Sequence, residues 1–374
     1  MVEIKELTTL AELAIASLVK SVILVFVLMT AFAYMTYIER KVMAYLQFRI
    51  GPNRAGPWGL LQPAADGLKV LFKEELIPAD ADRIMFVAAP IITVVPAFVI
   101  LAVVPFAPDI PVCWPTAVNA QPWNWVCYMV PFSITDLNVG ILYVLSVASI
   151  AVYGIVLAGW SSSNKYATLG GIRSTAQMVS YEISLGLSII GPVLLVGSLS
   201  LAKINQWQHD NFWIVLTQPV GALIYLIATL AEVNRAPFDM PEAEQELTAG
   251  YITEYSGLKF SLFFMAEYMK MVAVSAVGVT LFFGGFHGPF IDEVAVWMPN
   301  GFPVGQLLSA VLGLIYFVAK TLFFLVSMVW IRATLPRLRY DHLMRFGWKF
   351  MLPLALVNVA VTAVAVALIN GALG

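Results

Sequence analysis

Six carboxylates crowd the stretch AEVNRAPFDMPEAEQELTAGYITEY (231–255). Glu232, Asp239, Glu242, Glu244, Glu246 and Glu254 stand there against a single base, Arg235. Glu242 and Glu246 share a helical face at i, i+4, with Glu244 between them. Pro237 and Pro241 stiffen the start, and Phe238, Met240, Leu247 and Tyr251 are interleaved with the acids. A solvated loop is the ordinary fate of a charge run. The interleaved apolar residues fit instead a partly buried, hydrated acidic path, the kind of path that conducts protons or senses charge.

More ionisable residues fall inside apolar runs: Glu182 in SYEISLGL, and Glu267 with Lys270 in FFMAEYMKM. Each costs at least ~2.5–3.5 kcal/mol at mid-bilayer, so such residues are rare and mark function. A carboxylate buried without a partner holds its proton more tightly, which lets it exchange one near neutral pH. Lys270 lies three residues from Glu267 on one helical face, so the two either neutralise each other or leave Glu267 to titrate. Glu182 has no partner within a turn. Arg173 is nine residues back, roughly 13 Å along a helix axis.

Cofactor chemistry is limited by what the chain lacks. Its two cysteines, Cys113 and Cys127, and three scattered histidines, His209, His287 and His342, fall short of the roughly four close ligands of a cluster or structural zinc. Redox cofactors are therefore expected on partner chains, and no metal on this one. A net charge of −2 argues against nucleic-acid binding, which needs a basic face.

These groups must be positioned by membrane helices. The chain is 60% hydrophobic and 12% charged, with mean hydropathy +0.84, far from a soluble composition. Apolar runs of about 20 residues, the length that crosses a bilayer, lie near 17–38, 84–106, 137–160, 175–199, 212–233, 259–284, 304–331 and 350–371. The fold class expected is an all-α integral membrane protein, one polytopic domain of about eight transmembrane helices plus an interfacial helix. MVEIKELTTLAELA has an acidic lean and no A-x-A site after its apolar run, so the first run is expected to remain as an anchor. Most Lys and Arg fall on the side that follows the first run. That side is expected to be cytoplasmic, with both termini outside.

Near 57–75, Gln62, Asp66, Lys69 and Lys73 recur on one helical side, and Leu61, Leu68, Leu71 and Phe72 on the other. An amphipathic helix lying at the interface fits this pattern. The outer loop, about 107–135, holds both cysteines and three tryptophans, Trp114, Trp123 and Trp125. An oxidising compartment permits a Cys113–Cys127 disulfide; two unrelated thiols are the alternative. The acidic loop, about 234–258, faces the basic side.

Five segments carry a resemblance: YIERKVMAYLQFRIGPNRAGPWGLLQPAADGLKVLFKE (37–74), DLNVGILYVL (136–145), AGWSSSNKYATLGGIRSTAQMVSYE (158–182), AEVNRAPFDMPEAEQELTAGYITEYSG (231–257) and WIRATLPRLRYDHLMRFGWKFMLP (330–353). Together they resemble the H subunit of bacterial respiratory complex I, the proton-translocating NADH:quinone oxidoreductase, and its mitochondrial counterpart, NADH dehydrogenase subunit 1. The resemblance implies a membrane subunit of the respiratory chain that docks the hydrophilic arm and walls a chamber for ubiquinone or menaquinone. Quinone would be the substrate. FMN and Fe–S clusters would belong to partner subunits: the quinone-site and terminal Fe–S subunits of the arm, with small membrane subunits alongside. The bilayer would be the bacterial inner (plasma) membrane.

Carried over by position, the proton path would involve Glu182, Glu232, Glu242, Glu244, Glu246, Glu254 and Glu267. The quinone chamber and its entrance would involve Glu39, Arg40, Lys41, Asp66, Arg235, Phe238 and Asp239. Arg332, Arg337 and Arg339 would border the arm. Lys270 departs from the neutral residue typical of mitochondrial relatives; a lysine there either clamps Glu267 as a carboxylate, removing it from proton exchange, or leaves it free to titrate. Three rivals stay open at this stage: a related subunit of energy-converting hydrogenase or F420H2-type complexes, a secondary transporter, and a passive scaffold. A transporter would show paired broken helices in two halves, whereas the acidic loop occurs once.

Overall fold

The computed structural model describes residues 2–6, 10–115, 125–239, 249–296 and 304–373. Glu242, Glu244 and Glu246 lie outside the described residues. Long helices run back and forth through one bundle: α1 (Leu10–Leu46), α3 (Arg83–Val99), α4 (Gly140–Ser161), α5 (Lys165–Val196), α8 (Pro219–Glu232), α9 (Gly257–Phe282), α11 (Val304–Thr334) and α13 (Leu352–Leu373). Shorter helices connect them: α2 (Gln62–Leu71), α6 (Leu201–Asp210), α7 (Ile214–Thr217), α10 (Ile291–Ala295) and α12 (Tyr340–Phe346), the last running through a π-turn into α13.

Capping chemistry fixes several of these boundaries. The Asp82 carboxylate accepts from the N–H groups of Ile84 and Met85 at the start of α3, Asn164 accepts from Tyr166 at the start of α5, and Ser200 from Lys203 at the start of α6. These side chains satisfy donors that a helix start leaves unpaired. Gly197, at φ +70°, ends α5 in the left-handed conformation.

Among the described residues, seven helices are long and apolar enough to cross a membrane. The expected span at 212–233 departs from this. It divides at Gln218–Pro219 into the four residues of α7 and the 14 of α8, where proline supplies no N–H to continue the ladder. The amphipathic pattern expected near 57–75 forms a helix, α2, with Pro63 near its start.

α9 forms the axis of the bundle and is buried along most of its length, with α3, α11, α8, α1 and α5 packed against it; α1 and α13 are the least buried of the spans. The outer loop is not merely a loop. Three short strands, β1 (Val2–Glu6), β2 (Ile110–Pro115) and β3 (Trp125–Val130), form a sheet in the order β1-β3-β2. β1 runs parallel to β3 and β2 antiparallel to it, with Cys113 opposite Cys127 in the register. Cys127 is disulfide-bonded. The sheet lies at one end of the bundle, and α2 with the segment 249–256 at the other.

Candidate functional site

The turn that ends α8 positions the site. Asn234 adopts φ +55°. The N–H of Asn234 bonds the Ala231 carbonyl (3.3 Å) and that of Arg235 bonds the Leu230 carbonyl (3.2 Å). This pair of bonds closes a Schellman motif, in which asparagine is one of the few residues other than glycine that accept the left-handed position. The turn is pinned from α5. The Gln177 amide donates to the carbonyls of Ala231 (2.8 Å) and Phe238 (2.7 Å) and to Asn234 Oδ1 (3.3 Å). Glu232 is thereby kept inside the bundle, while Arg235 is swung back across α9.

Two charge clusters result. In the first, buried Arg235 reaches Glu39 of α1 at 3.2 Å and lies 4.3 Å from the ring centroid of Tyr268 on α9. Arg332, at the end of α11, pairs with the same Glu39 oxygen. Burial disfavours the Arg235 charge, but Glu39, then Tyr268 and Glu267, outweigh it and hold the guanidinium protonated more firmly than usual. In the second cluster, Lys270 Nζ stands 3.0 Å from Glu232 Oε1, both groups deeply buried. The contact is an ion pair by distance without hydrogen-bond alignment, and Lys270 Nζ and Glu232 Oε2 have no hydrogen-bond partner among the described residues.

Between α3, α4, α5, α8 and α9 lies a cavity of about 20 Å³, lined by Glu232, Asn234, Tyr251, Glu267 and Lys270 among apolar side chains. That is room for about one water. Tyr251 reaches Glu267 at 3.5 Å from the 249–256 segment. Glu182, one helix away and half-buried, accepts a hydrogen bond from Ser149 of α4. A cavity of this size with acids and a base on its wall can hold and hand on a proton.

The structure distributes the expected residues unevenly. It brings Glu39, Arg235, Glu232, Glu267 and Arg332 toward one buried region. Of the two readings open for Lys270, pairing with Glu267 gives way: its partner is Glu232, because α8 presents that carboxylate across the helix contact. Arg332 turns inward to Glu39, away from Arg337 and Arg339, which are exposed. Arg40 points outward to Asp66 of α2 at 2.7 Å, and Lys41 lines a separate open pocket. Phe238 is buried with its ring 5.5 Å from that of Tyr181, and Asp239 is half-buried beside it. Glu254 is tied to Asn164 at 2.6 Å, away from the cavity.

Sequence reasoning missed Gln177, Ser149 and Tyr268, and counted Tyr251 only as an apolar neighbour of the acids. Tyr268 carried a readable signal, since it sits between Glu267 and Lys270 in the motif already noticed.

A bundle of long apolar helices around buried acid–base pairs defines an all-α, multi-pass integral membrane protein. The family model described as NADH dehydrogenase matches residues 19–363. The chain is 50% identical to the first H subunit of the NADH-quinone oxidoreductase of Geobacter sulfurreducens, over 93% of both chains. It is 46% identical to the corresponding H subunit of Thermomicrobium roseum, over 93% of this chain and 95% of the relative. Against NADH-quinone oxidoreductase subunit 8 of Thermus thermophilus it is 47% identical, over 93% of this chain and 86% of the relative. The chain belongs to the NADH dehydrogenase family that supplies the H subunit of complex I, and its partners are other subunits of that complex, in a bacterial membrane.

Proposed function

We propose that this chain walls the quinone chamber of NADH:quinone oxidoreductase and couples quinone reduction to proton translocation through its buried carboxylates. The observation that carries the reading is the placement of Glu232, Lys270 and Glu267 on one small buried cavity, with the Glu39–Arg235 pair at the neighbouring turn.

Reduction of a quinone to quinol takes up two electrons and two protons. The electrons come from Fe–S clusters on the hydrophilic arm, which docks at the α2 end with its exposed arginines, Arg337 and Arg339. Negative charge developing beside Arg235 draws on a guanidinium that already serves Glu39, and like-charge repulsion carries that change to the nearby acids. Lys270 can then leave Glu232 for the cavity, and Glu232 takes a proton in its place. Glu39, held by two arginines, is a fixed anchor in this scheme. Glu182 and Glu267, which meet the hydroxyls of Ser149 and Tyr251, exchange protons. The concentration of Lys and Arg at the α2 end supports a cytoplasmic placement for it.

The test is turnover in the assembled complex carrying Glu182→Gln or Glu232→Gln. Quinone-linked NADH oxidation and proton pumping should fall together, while electron flow to an artificial soluble acceptor persists. Full quinone activity with full pumping in both variants overturns the proposal. Loss of assembly alone in Glu182→Gln, which strands no ion-pair partner, would favour a scaffold.

A further inference from the structure

Three consecutive residues of α1 point three ways. Glu39 turns inward to Arg235 and Arg332, Arg40 turns to Asp66 of α2, and Lys41 faces an open pocket of about 690 Å³ where α1 meets α11. That pocket carries two charges, Lys41 and Arg49, both cationic, and neither forms an ion pair among the described residues. Its remaining wall is apolar and aromatic, with Tyr45, Ile50 and Trp330 largely exposed and Val326 partly so. The chain folds back to build it. Gly51 packs so closely that an added Cβ would stand 3.1 Å from the Lys41 side chain and 3.2 Å from that of Ala44.

Along the same α1–α11 seam runs a second concavity of about 450 Å³, almost wholly apolar, whose walls include Leu24, Ala31, Ile38, Phe317 and Leu322. From Ile38 to Leu24 the groove covers about 21 Å of helix, at 1.5 Å per residue. One leaflet of a ~30 Å hydrocarbon core takes up about half that thickness, so an acyl chain starting beside Lys41 has room to lie along the groove. The two concavities in line are complementary in shape and charge to an anionic amphiphile. Basic pockets at the membrane edge between transmembrane helices suit phospholipid headgroups in the same way.

We propose that the α1–α11 seam binds one anionic phospholipid, its phosphate on Lys41 and Arg49 and an acyl chain along the groove. This site is separate from the buried carboxylates, and it assigns Lys41, expected from the resemblance at the quinone entrance, to a lipid headgroup instead. A neutral isoprenoid would leave both cations unmet, and so would an apolar partner helix.

The complex is purified in detergent, exchanged into nanodiscs of mixed phosphatidylglycerol and phosphatidylcholine, and its retained lipid quantified by native mass spectrometry. Phosphatidylglycerol should be retained preferentially. In the double variant Lys41→Gln/Arg49→Gln that preference should fall at least fivefold. Equal retention of the two lipids, or a preference unchanged in the variant, overturns the proposal. A photo-crosslinking residue at Leu322, with Lys41 and Arg49 intact, decides the matter if the double variant does not assemble. Label on phospholipid supports the site; label on a polypeptide or on quinone overturns it.

Discussion

Lys270 Nζ stands 3.0 Å from Glu232 Oε1, across the contact between α8 and α9 and away from Glu267 on its own helix. Removing one partner of a buried pair strands the other charge and costs about 3–5 kcal/mol, whereas replacing both is often nearly neutral. Lys270→Met should therefore lower the amount of assembled complex, and Glu232→Gln/Lys270→Met should restore most of it without restoring coupled turnover. Blue-native gels and pumping assays on the same membranes check both halves.

Arg235 bonds Glu39 while its plane covers the Tyr268 ring. An ammonium is a compact point charge and does not reproduce the guanidinium's contact with the ring. Arg235→Lys is expected to weaken the site by about 2 kcal/mol, the scale of a desolvated cation–π contact. Quinone reductase activity should drop at least tenfold. Arg332→Lys, which leaves Arg235 on Glu39, should have a clearly smaller effect in the same assay.

Gly170 of α5 lies against the backbone of the 249–256 segment, where an added Cβ would come within 2.5 Å of Gly250 Cα. Backbone cannot yield as a flexible side chain would. Gly170→Ala should cost about 1–3 kcal/mol as overpacking and displace Tyr251 from Glu267. Loss of coupled activity before loss of assembly, followed over a temperature series, is the expected order.

His287, in the connection between α9 and α10, has its pKa pushed down to about 3 by burial, then by His209 and Lys320. Its ordinary value is about 6.5. Above that value both folded and unfolded states are neutral there and nothing is lost. As pH falls from about 6.5 toward 3 the unfolded state binds a proton that the folded state refuses, so stability declines by up to ~1.4 kcal/mol per pH unit. His287→Leu should move the acid-dissociation midpoint of the complex to lower pH, as read by gel filtration across a pH series.

The bundle was legible because hydropathy acts over whole helices. Seven of the expected runs are long apolar helices, and the alternating polar and apolar sides of 57–75 did mark α2. The run at 212–233 misled because composition is blind to where Pro219 interrupts the backbone. The sheet was invisible: its strands are five or six residues long, and β1 pairs with a partner far along the chain. At the site, the residue types were readable and their pairings were not. Spacing along one helix suggested Lys270 with Glu267, but the choice was made by a neighbouring helix. Arg332 reads as one of a basic run with Arg337 and Arg339, yet the end of α11 aims it at Glu39.

The parallel pairing of Val2–Glu6 with Trp125–Met129 has a consequence for biosynthesis. The partner strand leaves the ribosome about 120 residues after the first, roughly 6–24 s later at 5–20 residues per second. For that interval α1, the helix with the largest share of its flank bare, has no clasp at its sheet end. Its clasp must wait until α3 has been inserted behind it, so a pause in translation between α3 and α4 is the moment at which misinsertion would be most damaging.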